Sequence, residues 1–385
     1  MKALLIQPPS CDPLIDKIFM FEPLALEYLG AGLKLAGHTV RLLDARLRPE
    51  IEETCRDFQP QLVGLTGFTS QVNIIKDIAA RLKKAFPQLF VVVGGHHATV
   101  RPEDFNEPTI DAVVIGEGVA ALRDIVDKLA SGGSLLDIPG VAIPGRTAMR
   151  FAPPRRYPDL DDLPLPDRSL TAAHRRDYFS EWFKPLASVR TSLGCTSRCD
   201  FCALWAITGG KYLRRAPEAV VAELKSVTEA NVFFCDDESM CDTRRMDRLA
   251  DLIRQAGIRK NYFLYGRVDT IVKHPELFAK WAAIGLRQVF VGMEDYSDAR
   301  LRAMNKGITS AQQVEAVRIL DRLGIMMYAS YMVDPNYTRE DFRDLAAYVR
   351  KMGHRYATFT VLTPLPGTRL HDRCEPALLS RKPEL

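Results

Sequence analysis

Residues 194–205, GCTSRCDFCALW, place cysteines at 195, 199 and 202, with three and then two residues between them. Thiolates are soft ligands suited to zinc or to iron–sulfur centres. A closed structural zinc site wants four donors, and a disulfide framework wants an even number of cysteines. Three sulfurs at this spacing can instead gather round one face of a small cluster. A cubane with four irons held by three thiolates keeps one iron open to another ligand. Incidental buried thiols, and zinc with a remote fourth ligand, are the competing readings of the three residues. Other groups able to do chemistry stand at the ends of apolar runs further on: Asp236, Asp237, Arg267, Glu294 and Thr363.

The runs that must position these groups come in two series. From residue 188, SVRTSLG, NVFFCDD, NYFLYGR, QVFVGME, MMYASYM and ATFTVLTP each read as a strand, with helical patterns between most neighbours. Six successive βα units predict a parallel, curved, partial (β/α)6 barrel over 188–370. Functional groups in such folds gather at the C-terminal strand ends, where Cys195 and the residues above fall. A short tail, 371–385, follows. The first 145 residues also alternate. KALLIQ, TVRLL, QLVGLTG, FVVVGG and AVVIGEG read as strands, with amphipathic helices such as SQVNIIKDIAARLKKAF between them. Continuous Val, Ile and Leu mark strands buried on both faces, so residues 1–145 are expected to form a five-stranded, doubly wound, Rossmann-like α/β domain. Residues 146–187, rich in Pro, Arg and Asp and without a period, read as a linker running over the surface.

Composition excludes several classes. The chain has 385 residues, 47% hydrophobic and 26% charged, with 52 basic and 48 acidic residues and a net charge of +4. Without concentrated basic tracts this is no signature of a nucleic-acid partner. No apolar run approaches the ~18 residues of a membrane span, and MKALLIQPPS lacks the apolar core of a signal peptide. Eight cysteines then read as thiols or ligands in a reducing cytoplasm. Trp205, Tyr212, Tyr265 and Tyr331 read as aromatic packing.

The run Cys195-xxx-Cys199-xx-Cys202, with Phe201 before the third cysteine, resembles the signature of the radical S-adenosylmethionine (radical SAM) superfamily. The resemblance implies that the three cysteines hold a 4Fe–4S cluster whose open iron chelates SAM, and that one electron cleaves SAM to a 5′-deoxyadenosyl radical. It also places Phe201 near the adenine, Asp236 and Asp237 at the SAM amino group, Arg267 at its carboxylate and Glu294 at the ribose or amino group. The segment TPLPGT, residues 363–368, matches a turn after the sixth strand.

The fingerprint G-x-G-x-x-G is absent after the first strand, which argues against NAD or FAD. EPLALEYLGAGLKLAGHTVRLLDA, VGLTGFTSQ, VVVGGHHAT and VIGEGV instead resemble the cobalamin (B12)-binding class of radical SAM proteins. That resemblance puts cobalamin contacts at Thr66, Ser70, Gly94, Gly95, His96, Gly116, Glu117 and Gly118, with His97 a further candidate. Many such domains carry D-x-H-x-x-G, whose His coordinates cobalt. Here the best-aligned segment is Asp44-Ala45-Arg46, and a guanidinium is no such ligand. Cobalamin without a histidine lower ligand is the expectation.

Over residues ~1–370 the chain is most similar to hopanoid C-3 methylase-like class B radical SAM methyltransferases, on runs such as CDFCALWAITGGKY, NVFFCDDESM and MVDPNYTREDF. The resemblance implies methyl transfer to an unactivated carbon of a lipid or other natural product through the adenosyl radical and methylcobalamin, with a flavodoxin or ferredoxin as electron donor. An oxidoreductase or oxidative cyclase like the anaerobic Mg-protoporphyrin ester cyclase would use the same sites. A non-catalytic cobalamin-binding protein is the alternative from another class. The family usually continues further past the sixth strand than this chain does.

Overall fold

The computed structural model describes residues 1–378 and divides into two compact units, Met1–Lys184 and Pro185–Pro376. In the first, β1 (Lys2–Gln7), β2 (Thr39–Asp44), β3 (Leu62–Thr66), β4 (Phe90–Gly94) and β5 (Ala112–Val114) pair in parallel in the order β2-β1-β3-β4-β5. Alternation along β1 builds both layers. Leu4 and Ile6 join Val63, Leu65 and Val93 in one core, while Ala3 and Leu5 join Leu62 and Val92 in the other. Helices Ile51–Phe58 and Val72–Ala85 cover the first face, and Leu24–Leu35 and Gly118–Ser131 the second. The chain turns to opposite sides of β1 on its way to β2 and β3, so the switch in strand order lies between β1 and β3.

The sheet has seven strands, not five. β6 (Val141–Ile143) and β7 (Arg150–Phe151) add antiparallel to β5. The stretch expected as a surface linker supplies β7 and packs Leu160, Thr171 and Tyr178 into this unit, all under 3% exposed. Single buried side chains at irregular spacing leave no period to read.

Burial also places an acid where none is comfortable. Glu27 is fully buried, accepts from Thr171 Oγ1 at 2.5 Å, and shares its surroundings with Glu22. Burial, then the Glu22 charge, pushes its carboxyl up to about 8 from the ordinary 4.5. The folded chain therefore holds a proton here that the unfolded chain releases, so this contribution is full below pH 4.5 and is lost as pH rises through about 8. Glu27→Gln is expected to flatten the fall in unfolding midpoint across that window; an unchanged slope would assign the proton elsewhere.

The second unit holds β8 (Leu186–Val189), the short pair β9 (Ser192–Leu193) and β10 (Leu213–Arg214), then β11 (Asn231–Phe234), β12 (Asn261–Gly266), β13 (Leu286–Glu294), β14 (Met326–Val333) and β15 (Tyr356–Val361). The six long strands are parallel in the order β8-β11-β12-β13-β14-β15, an open sheet with helices between successive members. These are the six expected strands. Val232, Phe234, Leu264, Val289, Val291 and Ala329 line one continuous core beneath the helices. Among the described residues no helix is long and apolar enough to cross a membrane.

Candidate functional site

The cysteine loop leaves β9 and returns through β10, and its three sulfurs line one pocket at the C-terminal ends of β11, β12 and β13. Asp237, Arg267, Glu294 and Phe201 face the same pocket. Among the described residues no three His, Cys, Asp or Glu side chains lie close enough to hold a single metal ion. Three thiols around one cavity suit a cubane cluster that keeps one iron open to another ligand.

The thiols differ. Cys195 Sγ accepts from Ser197 N at 3.4 Å, and a hydrogen bond from the Cys241 thiol is the main cause holding Cys195 down to about 5. The same contact pushes Cys241 up. Burial pushes Cys202 up to about 11. Cys199 takes a 3.8 Å contact from Arg267 Nη1. Cys195 is thus more easily ionised than Cys202, which would lose its proton only on meeting a metal.

Arg267 ends β12 and is fixed on three sides. Its Nε donates to Asp269 Oδ1 at 2.9 Å and its Nη2 to Lys306 O at 2.8 Å, in addition to the Cys199 contact. Glu294 ends β13 with a left-handed φ of 64°, just after the pairing with β14 shifts register. A non-glycine residue held there stores strain, a mark of functional sites. Its carboxylate forms an ion pair with Lys306 Nζ, both side chains under 10% exposed. A Cβ on Gly292 would meet Glu294 Oε1 at 2.2 Å and Lys306 Nζ at 2.7 Å, so the pair lies directly over this glycine and a side chain there would displace it. Lys306 Nζ also stands 5.9 Å from the Phe201 ring centre.

The two adjacent aspartates divide. Asp237 accepts from Gly194 N at 2.6 Å and lines the pocket, with burial pushing its carboxyl up to about 6. Asp236 does not reach the pocket. Its carboxylate accepts from Thr191 N and Oγ1, both 2.6 Å, and Ser192 N at 2.8 Å, so it pins the strand entering the cysteine loop. The structure thus sets Asp236, expected at the SAM amino group, behind Asp237 and under the loop. Thr363 is likewise away from the pocket, donating to Val361 O. Sequence reasoning missed Glu238, pushed up to about 8 chiefly by burial, and Lys306, both pocket-lining. Glu238 continues an acidic run that was visible; Lys306 had no local signal. Tyr265, read as packing, also faces the pocket.

In the first unit Thr66, Gly94, Gly95 and Gly116 gather with Ser70 and His96 along the C-terminal edges of β3, β4 and β5. Glu117 is otherwise engaged: its carboxylate caps the helix beginning at Gly118, accepting from Val119 N at 2.7 Å. His97 is fully buried, with Nδ1 3.1 Å from Thr69 Oγ1 and Nε2 2.9 Å from Asp104 Oδ2. Arg46 follows β2, at the sheet edge, and its guanidinium pairs with Asp44 and donates to Phe21 O at 2.8 Å.

Residues 19–126 match the family model of the B12 binding domain, and residues 189–349 that of the radical SAM superfamily. The hopanoid C-3 methylase of Methylococcus capsulatus is 29% identical, the match covering 96% of this chain and 71% of that protein. An uncharacterized methyltransferase of Pyrococcus horikoshii is 30% identical over 97% of this chain and 83% of its own length. Among solved structures, the radical SAM methyltransferase TsrM from Kitasatospora setae, with cobalamin and a 4Fe–4S cluster bound, superposes with a TM-score of 0.79 at 20% identity, covering 99% of this chain and 79% of that one. This last likeness speaks for the fold.

Proposed function

Because the chain belongs to the radical SAM proteins that carry an N-terminal B12-binding domain, we propose that it is a cobalamin-dependent C-methyltransferase acting on an unactivated carbon of a lipid, hopanoid-like, or other natural product. The observation that carries this is the single pocket shared by Cys195, Cys199, Cys202, Asp237, Arg267 and Glu294. When bound, the cluster and SAM supply a carbon-centred radical able to take hydrogen from such a carbon, and cobalamin supplies a methyl carrier.

The residues present fit these groups. Three thiols would hold three irons and leave the fourth open. Arg267, already oriented by Asp269 and a backbone carbonyl, would meet the SAM carboxylate with a charge-assisted hydrogen bond. Asp237 and Glu238 are acceptors for the SAM ammonium, and its positive charge would favour their ionised forms against the burial that now raises both. Phe201 offers a face to the adenine, with Lys306 and Glu294 beside it for the ribose. A carbon–hydrogen bond without useful acidity gives a general base nothing to remove, so the pocket's task is positioning and exclusion of water. Eight cysteines with no disulfide among them suit a reducing cytoplasm, and a flavodoxin or ferredoxin is the electron donor of this reading.

The test is an anaerobic incubation of the cluster- and cobalamin-loaded chain with SAM, reductant and a hopanoid or cell-lipid pool, followed by mass spectrometry. Deoxyadenosine, S-adenosylhomocysteine and a product one methylene heavier are expected. Deoxyadenosine with neither of the others would replace methyl transfer by an oxidation or cyclisation.

A further inference from the structure

We propose that Asn305 is a positioning residue for the cysteine loop: its side-chain amide, with the carbonyl of Met304, holds the peptides on both sides of Cys199 and fastens them to the turn that carries Lys306. The inference rests on the reading that Cys195, Cys199 and Cys202 hold a cluster.

The helix Asp298–Ala303 closes with Asn305 N donating to Arg302 O and Lys306 N to Leu301 O, both at 3.0 Å. That pair of bonds is a Schellman ending, which needs a left-handed residue at the turn and usually takes glycine. Four other helices of this unit, Thr243–Gln255, Pro275–Ile284, Ser310–Arg322 and Arg339–Met352, are followed by Gly257, Gly285, Gly324 and Gly353, with φ between 64° and 117°. The helix before Lys306 carries asparagine instead, at φ 54°. A side chain kept where glycine is the easier choice points to a task for that side chain.

The task is visible in the hydrogen bonds. Asn305 Nδ2 donates to Arg198 O at 2.7 Å, and Asp200 N donates to Met304 O at 3.0 Å. Residues 198 and 200 stand on either side of Cys199, so both bonds fix the same cysteine. Cys202 N donates in turn to Cys199 O at 3.2 Å, which extends the hold to the third cysteine. At the other end of the turn, Lys306 O accepts from Arg267 Nη2 at 2.8 Å and Lys306 Nζ pairs with Glu294. Arg267 Nη1 closes the circuit, 3.8 Å from Cys199 Sγ. Three consecutive residues thus join the thiol loop to Arg267 and Glu294, the two charged side chains proposed to meet SAM. Asn305 itself is exposed and outside the pocket, so its effect passes through the backbone of Cys199.

Asn305→Gly and Asn305→Asp test this on the cluster-loaded chain. Glycine keeps the turn and removes the amide, whereas aspartate keeps the size but cannot donate to Arg198 O. Iron passing to a ferrous chelator is timed under anaerobic conditions, and the electron paramagnetic spectrum of the reduced cluster is recorded with and without SAM. The urea midpoint of the unloaded chain is measured beside them and should hardly move in the glycine variant, since glycine suits the turn. Both variants are expected to release iron about tenfold faster than the unsubstituted chain, the equivalent of ~1.4 kcal/mol and within reach of one hydrogen bond. Their reduced spectra should broaden and respond less to SAM. Release rates and spectra like those of the unsubstituted chain would overturn the proposal, and so would faster release in one variant alone. Faster release that merely follows a lower midpoint in both variants would make Asn305 a helix cap and overturn it too. An unsubstituted chain that takes up no iron and sulfide would remove the underlying reading instead.

Discussion

Cys199→Ala is expected to abolish SAM cleavage, lowering deoxyadenosine formation on the order of a thousandfold or more, as loss of one member of a group acting as a unit does. The cause is specific. Cys199 is one of three sulfurs around the pocket, and its neighbour Arg267 then faces an empty corner. Iron and sulfide analysis should fall with activity, while the unfolding midpoint should move little, since the side chain is only partly buried and packs in a loop. Full iron content with lost activity would give Cys199 some other task than holding the cluster. Retained activity would remove the loop from the chemistry altogether.

Lys306→Met carries the second large effect, on stability as well as on binding. The ammonium and the Glu294 carboxylate face each other with almost no water access. Removing one partner leaves an uncompensated buried charge, which costs about 3–5 kcal/mol, here at a residue whose backbone is already strained. A lower midpoint in urea is therefore expected, together with weaker SAM binding to the loaded chain by calorimetry. The double change Lys306→Met with Glu294→Gln separates the two effects. It removes both charges, so the midpoint should largely return, whereas SAM affinity should stay low. If affinity returned with stability, the pair would be structural support and not part of the SAM pocket. If the single change moved neither, the ion pair would be of no consequence.

Much of this was legible before any coordinates, for reasons that differ by residue. The cysteine spacing is local and dense, so three positions alone raised the cluster. The apolar runs of both units read as strands because parallel strands between helices are buried on both faces, and Asp237, Arg267 and Glu294 follow from standing at their C-terminal ends. What failed was direction and distance. Asp236 and Asp237 are neighbours just past the end of β11, and nothing in DDES says which of them meets the pocket. Glu117 entered the cobalamin set through the resemblance of VIGEGV, and nothing in that run shows that the helix it precedes also uses its carboxylate as a cap. Lys306 lies after helix Asp298–Ala303 and meets Glu294 where the register shifts at the end of β13. No pattern within a dozen residues of Lys306 records that meeting.

The cysteine loop is also gripped from far along the chain. Asp200, between the second and third cysteines, pairs with Arg373 at 2.5 Å and with Arg369 at 3.7 Å, and its carbonyl accepts from Leu370 N. Residues 200 and 373 are 173 positions apart. At roughly 5–20 residues per second of synthesis, a nascent chain holds three cysteines on the order of ten to thirty seconds before the helix that clamps their loop leaves the ribosome. Through that interval the thiols are exposed to oxygen and to stray metals without their final geometry. The loop that carries the cysteines thus reaches its clamped form only once nearly the whole second unit has been made.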